Sequence, residues 1–191
     1  MSTTRCGWVT TEPLYLDYHD QEWGTPITDT RKLFEMLCLE GQQAGLSWIT
    51  VLKKRENYRQ AFYNFEPQHV AAMTEQDIEN RLQDSGLIRH RGKLNAIITN
   101  AKAYLAMEAA GESFVTFIWH FVDGKPQLNH WVQLSDVPAS TPCSIALSKA
   151  LKKRGFKFVG PTICYAFMQA SGLVNDHLTH CFCHPKQQHH K

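Results

Sequence analysis

The chain has 191 residues, a formal net charge of only +2 and 43% hydrophobic residues, which suits a globular protein with a core of its own. No apolar run approaches the ~18 to 20 residues of a membrane-spanning helix, and the N-terminal stretch MSTTRCGWVTTEP lacks the apolar region of a secretory signal. We therefore expect a cytoplasmic protein whose six cysteines are thiols or metal ligands rather than disulfides.

Helix start and stop signals follow one another along the chain, and no alternating pattern typical of a strand persists. Helices are predicted to start after Asp29, after Ser47 and at Pro67. A capping box at Thr74–Asp77 starts another, which Gly86 closes. A long helix is predicted over 92–110 and is stopped by Gly111, and further helices are predicted over 114–122 after Ser113, from Pro142 to Gly155 and from Pro161 to Gly172. The least regular segments are 1–28 and 123–141. The sequence therefore predicts an all-α fold.

Three local basic clusters stand out against the small net charge, at residues 53–55, 89–93 and 152–157. Lysine and arginine also favour the C-terminal ends of helices, where they complement the helix dipole. Each cluster is therefore compatible with a solvated helix end as well as with a phosphate contact, and composition alone does not establish a nucleic-acid partner.

The stretch HLTHCFCH at 177–184 places three histidines and two cysteines within eight residues. His177 and Cys181 are spaced i, i+4 and would share one face of a helix. Zinc usually takes four Cys and His ligands, and Cys6 and His19 could supply the other two. Such a site would be a structural clip with no open position for water. Spacing alone leaves a surface turn with incidental histidines possible, and it does not choose among His177, His180, Cys181, Cys183 and His184.

Five long segments resemble the bacterial 3-methyladenine DNA glycosylase I family: RCGWV (5–9), YHDQEWG (18–24), and residues 34–59, 86–98 and 151–177. The resemblance implies a helix-hairpin-helix DNA glycosylase fold with one structural zinc at Cys6, His19, His177 and Cys181, joining the N- and C-terminal segments. It also implies hydrolysis of the N-glycosidic bond of 3-methyladenine in alkylated DNA, with the nucleotide flipped out of the duplex.

The same resemblance implies how the chain is organised. We expect a single glycosylase domain of two helical lobes over 1–185, with the hairpin near 86–93, followed by a disordered polar tail over 186–191 in which His189 and His190 have no function. The expected partners are double-stranded DNA containing 3-methyladenine and the free base as product. We expect a monomer with no membrane contact.

Such an enzyme needs a grip on phosphate and a wedge for the gap left by the flipped base. The hairpin offers backbone N–H groups at a helix N-terminus, with Arg89, Arg91, Gly92 and Lys93 as candidate DNA contacts. Without the family resemblance, an ordinary helix–helix turn would be the simpler interpretation. The wedge candidate is Leu46 after Gly45, although a helix C-cap followed by a core leucine fits the same residues.

The candidate base pocket is aromatic with a single acid. Adenine methylated at N3 in DNA carries a positive charge, which electron-rich ring faces attract by about 0.5 to 2 kcal/mol. Glu40 is the candidate catalytic residue, since it ends an apolar stripe just before a glycine-containing loop. The base-binding candidates are Trp8, Tyr15, Tyr18 and Trp48, with Trp23 assigned more readily to packing.

Many helix-hairpin-helix glycosylases carry an Asp about one helix beyond the hairpin, and this chain has none there. After Asp84 the next aspartate is Asp123, with only Glu108 and Glu112 between them. We therefore expect a monofunctional hydrolase without lyase activity, acting on a cationic base that leaves as a neutral molecule. The alternatives are a zinc hydrolase with an open metal position and a DNA-binding module without catalysis.

Overall fold

The computed structural model describes residues 3–188 and is mostly helical with very little strand, which confirms the all-α prediction. The α-helices are α1 (Pro13–Gln21), α2 (Thr30–Gln42), α3 (Trp48–Leu52), α4 (Arg55–Ala61), α5 (Pro67–Ala71), α6 (Glu75–Leu82), α7 (Arg91–Ala109), α8 (Phe114–His120), α9 (Pro142–Lys153), α10 (Pro161–Ala170) and α11 (Pro185–Gln188). Two short strands, β1 (Gln127–Leu128) and β2 (Val174–Asn175), pair in parallel, and 3-10 turns lie at Tyr63–Phe65 and Leu134–Asp136.

The predicted caps stabilise several of these helix starts. The Asp29 side chain accepts a hydrogen bond from the backbone N–H of Lys32 at 2.9 Å, and Thr74 and Asp77 form a reciprocal capping box. Ser113 caps α8 in the same way, through the N–H of Thr116. Ser47 precedes α3 as predicted, but its hydroxyl bonds the Thr50 side chain instead of a backbone N–H.

Several boundaries differ from the prediction, and α6 ends at Leu82, four residues before the Gly86 that was expected to close it. Residues 1–28, expected to be irregular, contain α1, which has Pro13 at its first position and reaches the buried residues Tyr18 and His19. The apolar residues of this helix gather in its first half and form no stripe at helical spacing, so periodicity gave no signal. The helix predicted over 114–122 ends at His120, and the chain turns at Asp123 and Gly124 with positive φ.

Helix α2 is the centre of the core. Its side chains Leu33, Phe34 and Leu37 are fully buried, and α7 and α10 pack against it. Helices α5 and α6 cover α7, while α9 packs on α10. Helices α1 and α3 lie beside the C-terminal half of α2, and this corner holds the candidate site.

The two ends of the chain are joined by backbone contacts. The N–H groups of Gly24 and Ile27 donate to carbonyl oxygens at the end of α10, and Phe182 N–H donates to the carbonyl of Thr4. Gly172 has φ +72°, and a Cβ there would lie 2.3 Å from the backbone of Pro26, so only glycine allows this approach.

The predicted polar tail begins inside α11, so residues 186–188 are helical here, and His189 and His190 lie outside the described residues. Across residues 3–188, no helix combines the length and apolarity needed to cross a bilayer.

Candidate functional site: an aromatic pocket beside a Cys/His cluster

A cavity of ≈ 250 Å³ opens where helices α1, α2 and α3 meet two further parts of the chain. These are the 3-10 turn Leu134–Asp136 with the residue after it, and the segment that follows β2. All five predicted pocket residues line it, and so does the weaker candidate Trp23; they are Trp8, Tyr15, Tyr18, Glu40 and Trp48. Residues that no sequence signal indicated complete the wall: Gln43, Leu134, Val137, Ala166, Gln169, Asp176 and Leu178.

The aromatic rings of the pocket form two groups of contacting rings. The ring centroids of Trp8 lie 5.1 Å from Tyr15 and 5.0 Å from Trp23, and Tyr18 lies 5.5 Å from Trp48. Burial raises the pKa of the Tyr18 hydroxyl well above its usual range, so this group stays protonated at neutral pH. The indole N–H of Trp48 is buried and has no hydrogen-bond partner within residues 3–188, which leaves a donor available to a ligand.

Glu40 is the acid of this pocket. Its side chain is 4% exposed, near the C-terminal end of α2, and it accepts no hydrogen bond from another residue of the described chain. Burial in these apolar surroundings raises the pKa of the Glu40 carboxyl to about 8. A cationic ligand in the cavity would favour the carboxylate, so ligand charge and Glu40 ionisation are coupled.

Asp176 is a second pocket acid, which the sequence analysis did not identify. Four donors surround its carboxylate: Asn129 Nδ2 at 2.7 Å, Trp131 Nε1 at 2.9 Å, Gln169 Nε2 at 3.0 Å and the Tyr165 hydroxyl. These bonds occupy both oxygens of the Asp176 carboxylate, which therefore holds the residues of the pocket wall in place. Unlike the Glu40 carboxyl group, it is not available to bind a ligand. Its position before His177 gives no sequence signal for this role.

The predicted metal ligands converge. The ligand atoms of Cys6, His19, His177 and Cys181 all lie within 4.8 Å of one another, and all four residues are buried. The Cys181 Sγ atom lies 3.5 Å from His19 Nε2 and 3.6 Å from His177 Nδ1, and the Cys6 Sγ atom lies 3.6 Å from His177 Nδ1. The helical face on which His177 and Cys181 were expected to lie does not exist, because residues 177–181 are not helical, but the two side chains still meet.

The other ring nitrogen of each histidine has a partner that fixes its orientation. His19 Nδ1 lies 2.7 Å from Asp20 Oδ1, and the Arg5 guanidinium holds that carboxylate and lowers its pKa. His177 Nε2 lies 2.8 Å from the carbonyl oxygen of Trp23. These are the outer partners that metal-ligating histidines usually have, and two thiols with two oriented imidazoles fit a tetrahedral metal ion.

The structure also decides among the alternative ligands. His180 is exposed, and His184 is buried against the carbonyl of Asn129 and the N–H of Lys186. Cys183 lies near His19 and Asp20 at the edge of the cluster. Neither His180 nor His184 therefore belongs to the group of four.

The wedge candidates lie in a tight turn between α2 and α3, at residues 43–47, which we call the wedge loop. Gly45 has φ +77° and open space around it, and Leu46 is 38% exposed. The Gln43 side chain and carbonyl both bond Leu46, which holds the leucine at the tip of the loop. An exposed Leu46 disagrees with the core-leucine alternative.

The predicted DNA-contacting residues of the hairpin differ in exposure and in the partners that they already bind. Arg91 forms ion pairs with Glu75 (2.8 Å) and Glu79, whereas Arg89 is exposed and makes no ion pair with any residue from 3 to 188. Gly92 packs against the His90 ring, which caps α7 by accepting from the N–H of Lys93 at 3.0 Å. Lys93 was predicted to contact phosphate, but its side chain turns inward and is 5% exposed.

Comparisons with known proteins agree with this architecture. The chain is 67% identical to DNA-3-methyladenine glycosylase 1 of Escherichia coli (strain K12), over 95% of this chain and 97% of the relative. It is 64% identical to DNA-3-methyladenine glycosylase of Haemophilus influenzae (strain ATCC 51907 / DSM 11121 / KW20 / Rd), over 95% and 98%. A solved structure of 3-methyladenine DNA glycosylase I from Staphylococcus aureus, described for its recognition of 3-methyladenine, covers 97% of this chain and 99% of its own with a TM-score of 0.93 at 45% identity.

Fold and pocket together define the class, an all-helical DNA glycosylase. A second solved structure, of 3-methyladenine DNA glycosylase I, has a TM-score of 0.94 at 68% identity and covers 95% of this chain and all of its own. The family model for methyladenine glycosylase matches residues 8–184. The chain belongs to the methyladenine glycosylase family.

Proposed function

We propose that the protein hydrolyses the N-glycosidic bond of 3-methyladenine in double-stranded DNA and releases the free base. The observation that carries the proposal is the buried carboxyl group of Glu40 inside a ring-lined cavity of ≈ 250 Å³, in a chain of this family. A base inside the duplex cannot reach such a cavity, so the nucleotide must flip out at a cost of a few kcal/mol.

The pocket favours a positively charged base. The faces of Tyr18 and Trp48 attract a cation by roughly 0.5 to 2 kcal/mol or more once water is excluded. Glu40, as a carboxylate, adds charge complementarity and accepts hydrogen bonds from the adenine edge. The methylated base departs as a neutral molecule, so no general acid has to protonate it. Uncharged lesions such as 7,8-dihydro-8-oxoguanine are therefore expected to be poor substrates.

The wedge loop and the hairpin supply the DNA contacts in this proposal. Leu46 at the loop tip fills the gap that the flipped base leaves, and Gly45 lets the backbone approach the duplex. The hairpin's backbone N–H groups and Arg89 contact phosphate. The Lys93 amine is bonded to backbone carbonyls, which supports a monofunctional reaction without a lysine nucleophile.

The Cys/His cluster holds one structural zinc ion in this proposal. Cys6, His19, His177 and Cys181 would supply two thiolates and two neutral imidazoles, a donor set suited to tetrahedral zinc. With four protein ligands and no exposed face, the ion would stabilise the fold and would not activate water, which favours the clip over the zinc-hydrolase alternative. A monomeric, cytoplasmic protein with domain limits 1–185 remains the expectation.

One assay tests the activity. Methylated duplex DNA is incubated with the protein, and the released bases are separated by chromatography, with and without a chelator. We expect 3-methyladenine in the soluble fraction and a loss of about 100-fold for Glu40→Gln. Glu56→Gln is the matched control, because Glu56 is a well-exposed acid on α4. Release at the wild-type rate by Glu40→Gln would remove this acid from the mechanism, and binding without release would favour the non-catalytic alternative.

A further inference from the structure

The inward-facing amine of Lys93 joins the hairpin to the wedge loop. Its Nζ atom donates to the carbonyl oxygen of Gln42 at 2.9 Å and to that of Ala44 at 2.5 Å. Lys93 lies in the first turn of α7, Gln42 is the last residue of α2, and Ala44 lies within the wedge loop. One side chain therefore spans the two elements that would contact DNA.

The connection is reciprocal. The side-chain amide of Gln42 donates to the carbonyl of Lys93 at 2.9 Å, and its oxygen accepts from the Tyr58 hydroxyl at 3.0 Å. The same hydroxyl accepts from the backbone N–H of Ile88 in the hairpin at 3.2 Å. Gln42 and Tyr58 are almost completely buried, so these bonds form a closed network between α2, α4 and the hairpin.

The bonds account for a lysine in this buried position. Burial lowers the pKa of its ammonium group, which shows that the interior penalises the charge. The carbonyls it bonds belong to the last residue of α2 and to the loop just beyond it, where backbone oxygens lack helical partners and where the helix dipole favours a cation. The ammonium group therefore acts as a cap that fixes the backbone of the wedge loop.

We infer that Lys93 is a positioning residue that holds the wedge loop at a fixed distance from the hairpin while the nucleotide is extruded. The inference rests on the proposed function. When the hairpin docks on the phosphates, the clamp sets where Leu46 enters the base stack. Loss of the clamp affects extrusion from a duplex and leaves the pocket itself complete.

A contact between Lys93 and phosphate is the competing role, and the two roles predict different measurements. Loss of one phosphate contact lowers the slope of log Kd against log salt by about 1, whatever the substrate geometry. Loss of a positioning residue leaves that slope unchanged. Loss of a positioning residue slows excision from a duplex, where the base must be extruded, and leaves the excision rate from a single strand with unstacked bases unchanged.

The test compares Lys93→Met with Lys102→Met, a control on the exposed side of α7. Initial excision rates are measured on 3-methyladenine in a duplex and in the same single strand. For Lys93→Met we expect the duplex rate to fall between about 10- and 100-fold, as for a small misplacement of reacting groups. We expect the single-strand rate, the salt slope and the binding of free 3-methyladenine to remain near the wild-type values.

A second variant protects the test against misfolding. Tyr58→Phe removes only the hydroxyl group that links Gln42 to Ile88, and we expect it to show the same duplex-selective loss at a smaller size. If Lys93→Met does not unfold cooperatively on heating, it is not natively folded, and the duplex and single-strand rates of Tyr58→Phe then test the inference. Equal losses on duplex and single strand, an unchanged duplex rate, or a salt slope reduced by about 1 would overturn the inference. If wild-type protein releases no 3-methyladenine from either substrate, the proposed function itself fails.

Discussion

The Nε2 atom of His177 lies 2.8 Å from the carbonyl oxygen of Trp23, and the two rings meet edge to face with centroids 4.7 Å apart. His177 belongs to the Cys/His cluster, whereas the ring of Trp23 lines the aromatic pocket. Trp23 also touches Trp8, whose own ring lies 5.2 Å from His19. The cluster and the pocket therefore share a wall.

This shared wall predicts that removal of the proposed zinc ion weakens base binding as well as stability. Chelation or Cys6→Ser removes a contact that joins the first and last segments of the chain, and we expect a lower Tm together with a raised Kd for free 3-methyladenine. Differential scanning calorimetry, base titration by tryptophan fluorescence and elemental analysis provide the measurements. Cys143→Ser, outside the cluster, is the control. Full base affinity in the metal-free protein would contradict the shared-wall argument.

The raised pKa of Glu40 predicts that the free energy of unfolding falls as the pH rises toward 8. Its carboxyl group has a pKa of about 8 in the folded protein against 4.5 as the ordinary value, so the folded state holds a proton that the unfolded state has lost between these two values. The wild type therefore loses stability as pH rises through this window. Glu40→Gln cannot titrate there, and we expect it to be the more stable protein at pH 8 by a few kcal/mol, since one pKa unit corresponds to about 1.4 kcal/mol.

Urea unfolding of both proteins at pH 5 and pH 8 measures this effect. The advantage of Glu40→Gln should be small at pH 5 and should grow toward pH 8. Glu56→Gln should follow the wild type at both values, because its side chain is 69% exposed. Parallel curves for wild type and Glu40→Gln would show that Glu40 does not bind its proton more tightly in the folded state.

The same group predicts the pH profile of catalysis. If the carboxylate is the competent form, kcat/KM rises with pH until the free enzyme has lost the Glu40 proton, near pH 8. Glu40→Gln should be slower and should lack this rise. The variant keeps all ten histidines, so any rise that it still shows belongs to other groups. Single-turnover excision from pH 6 to pH 9 separates the two profiles.

Local signals predicted the helices well because caps act within a few residues. Asp29, Thr74 and Ser113 each bond an N–H three positions ahead, so the sequence contains the whole interaction. Helix α1 lacked such a signal. Its Glu12 side chain makes no capping hydrogen bond to the first turn, and its helical conformation depends on packing of Tyr18 and His19 against distant elements.

The sequence predicted which residue types meet at the site better than it predicted the direction of their side chains. The four cluster residues are scarce types with a shared chemistry, and the pocket aromatics follow the family resemblance. The direction of Lys93 depends on carbonyls 49 and 51 residues away, and the bonds of Asp176 depend on two separate segments, residues 129–131 and α10. No local pattern encodes such contacts, so charge alone predicted a phosphate contact for Lys93 and gave no sign that its amine bonds backbone carbonyls inside the protein.

Arg89 is the hairpin cation that the fold leaves available, and this difference from Arg91 is testable. Arg91 already pairs with Glu75 and Glu79, and Arg89 is exposed without such a pair within the described chain. We expect Arg89→Ala to lower the salt slope of duplex binding by about 1, with Arg91→Ala changing it by less. Fluorescence anisotropy with a labelled duplex at several salt concentrations measures both slopes. A larger change for Arg91→Ala would mean that its ion pairs open on DNA and that Arg91 contacts the phosphate.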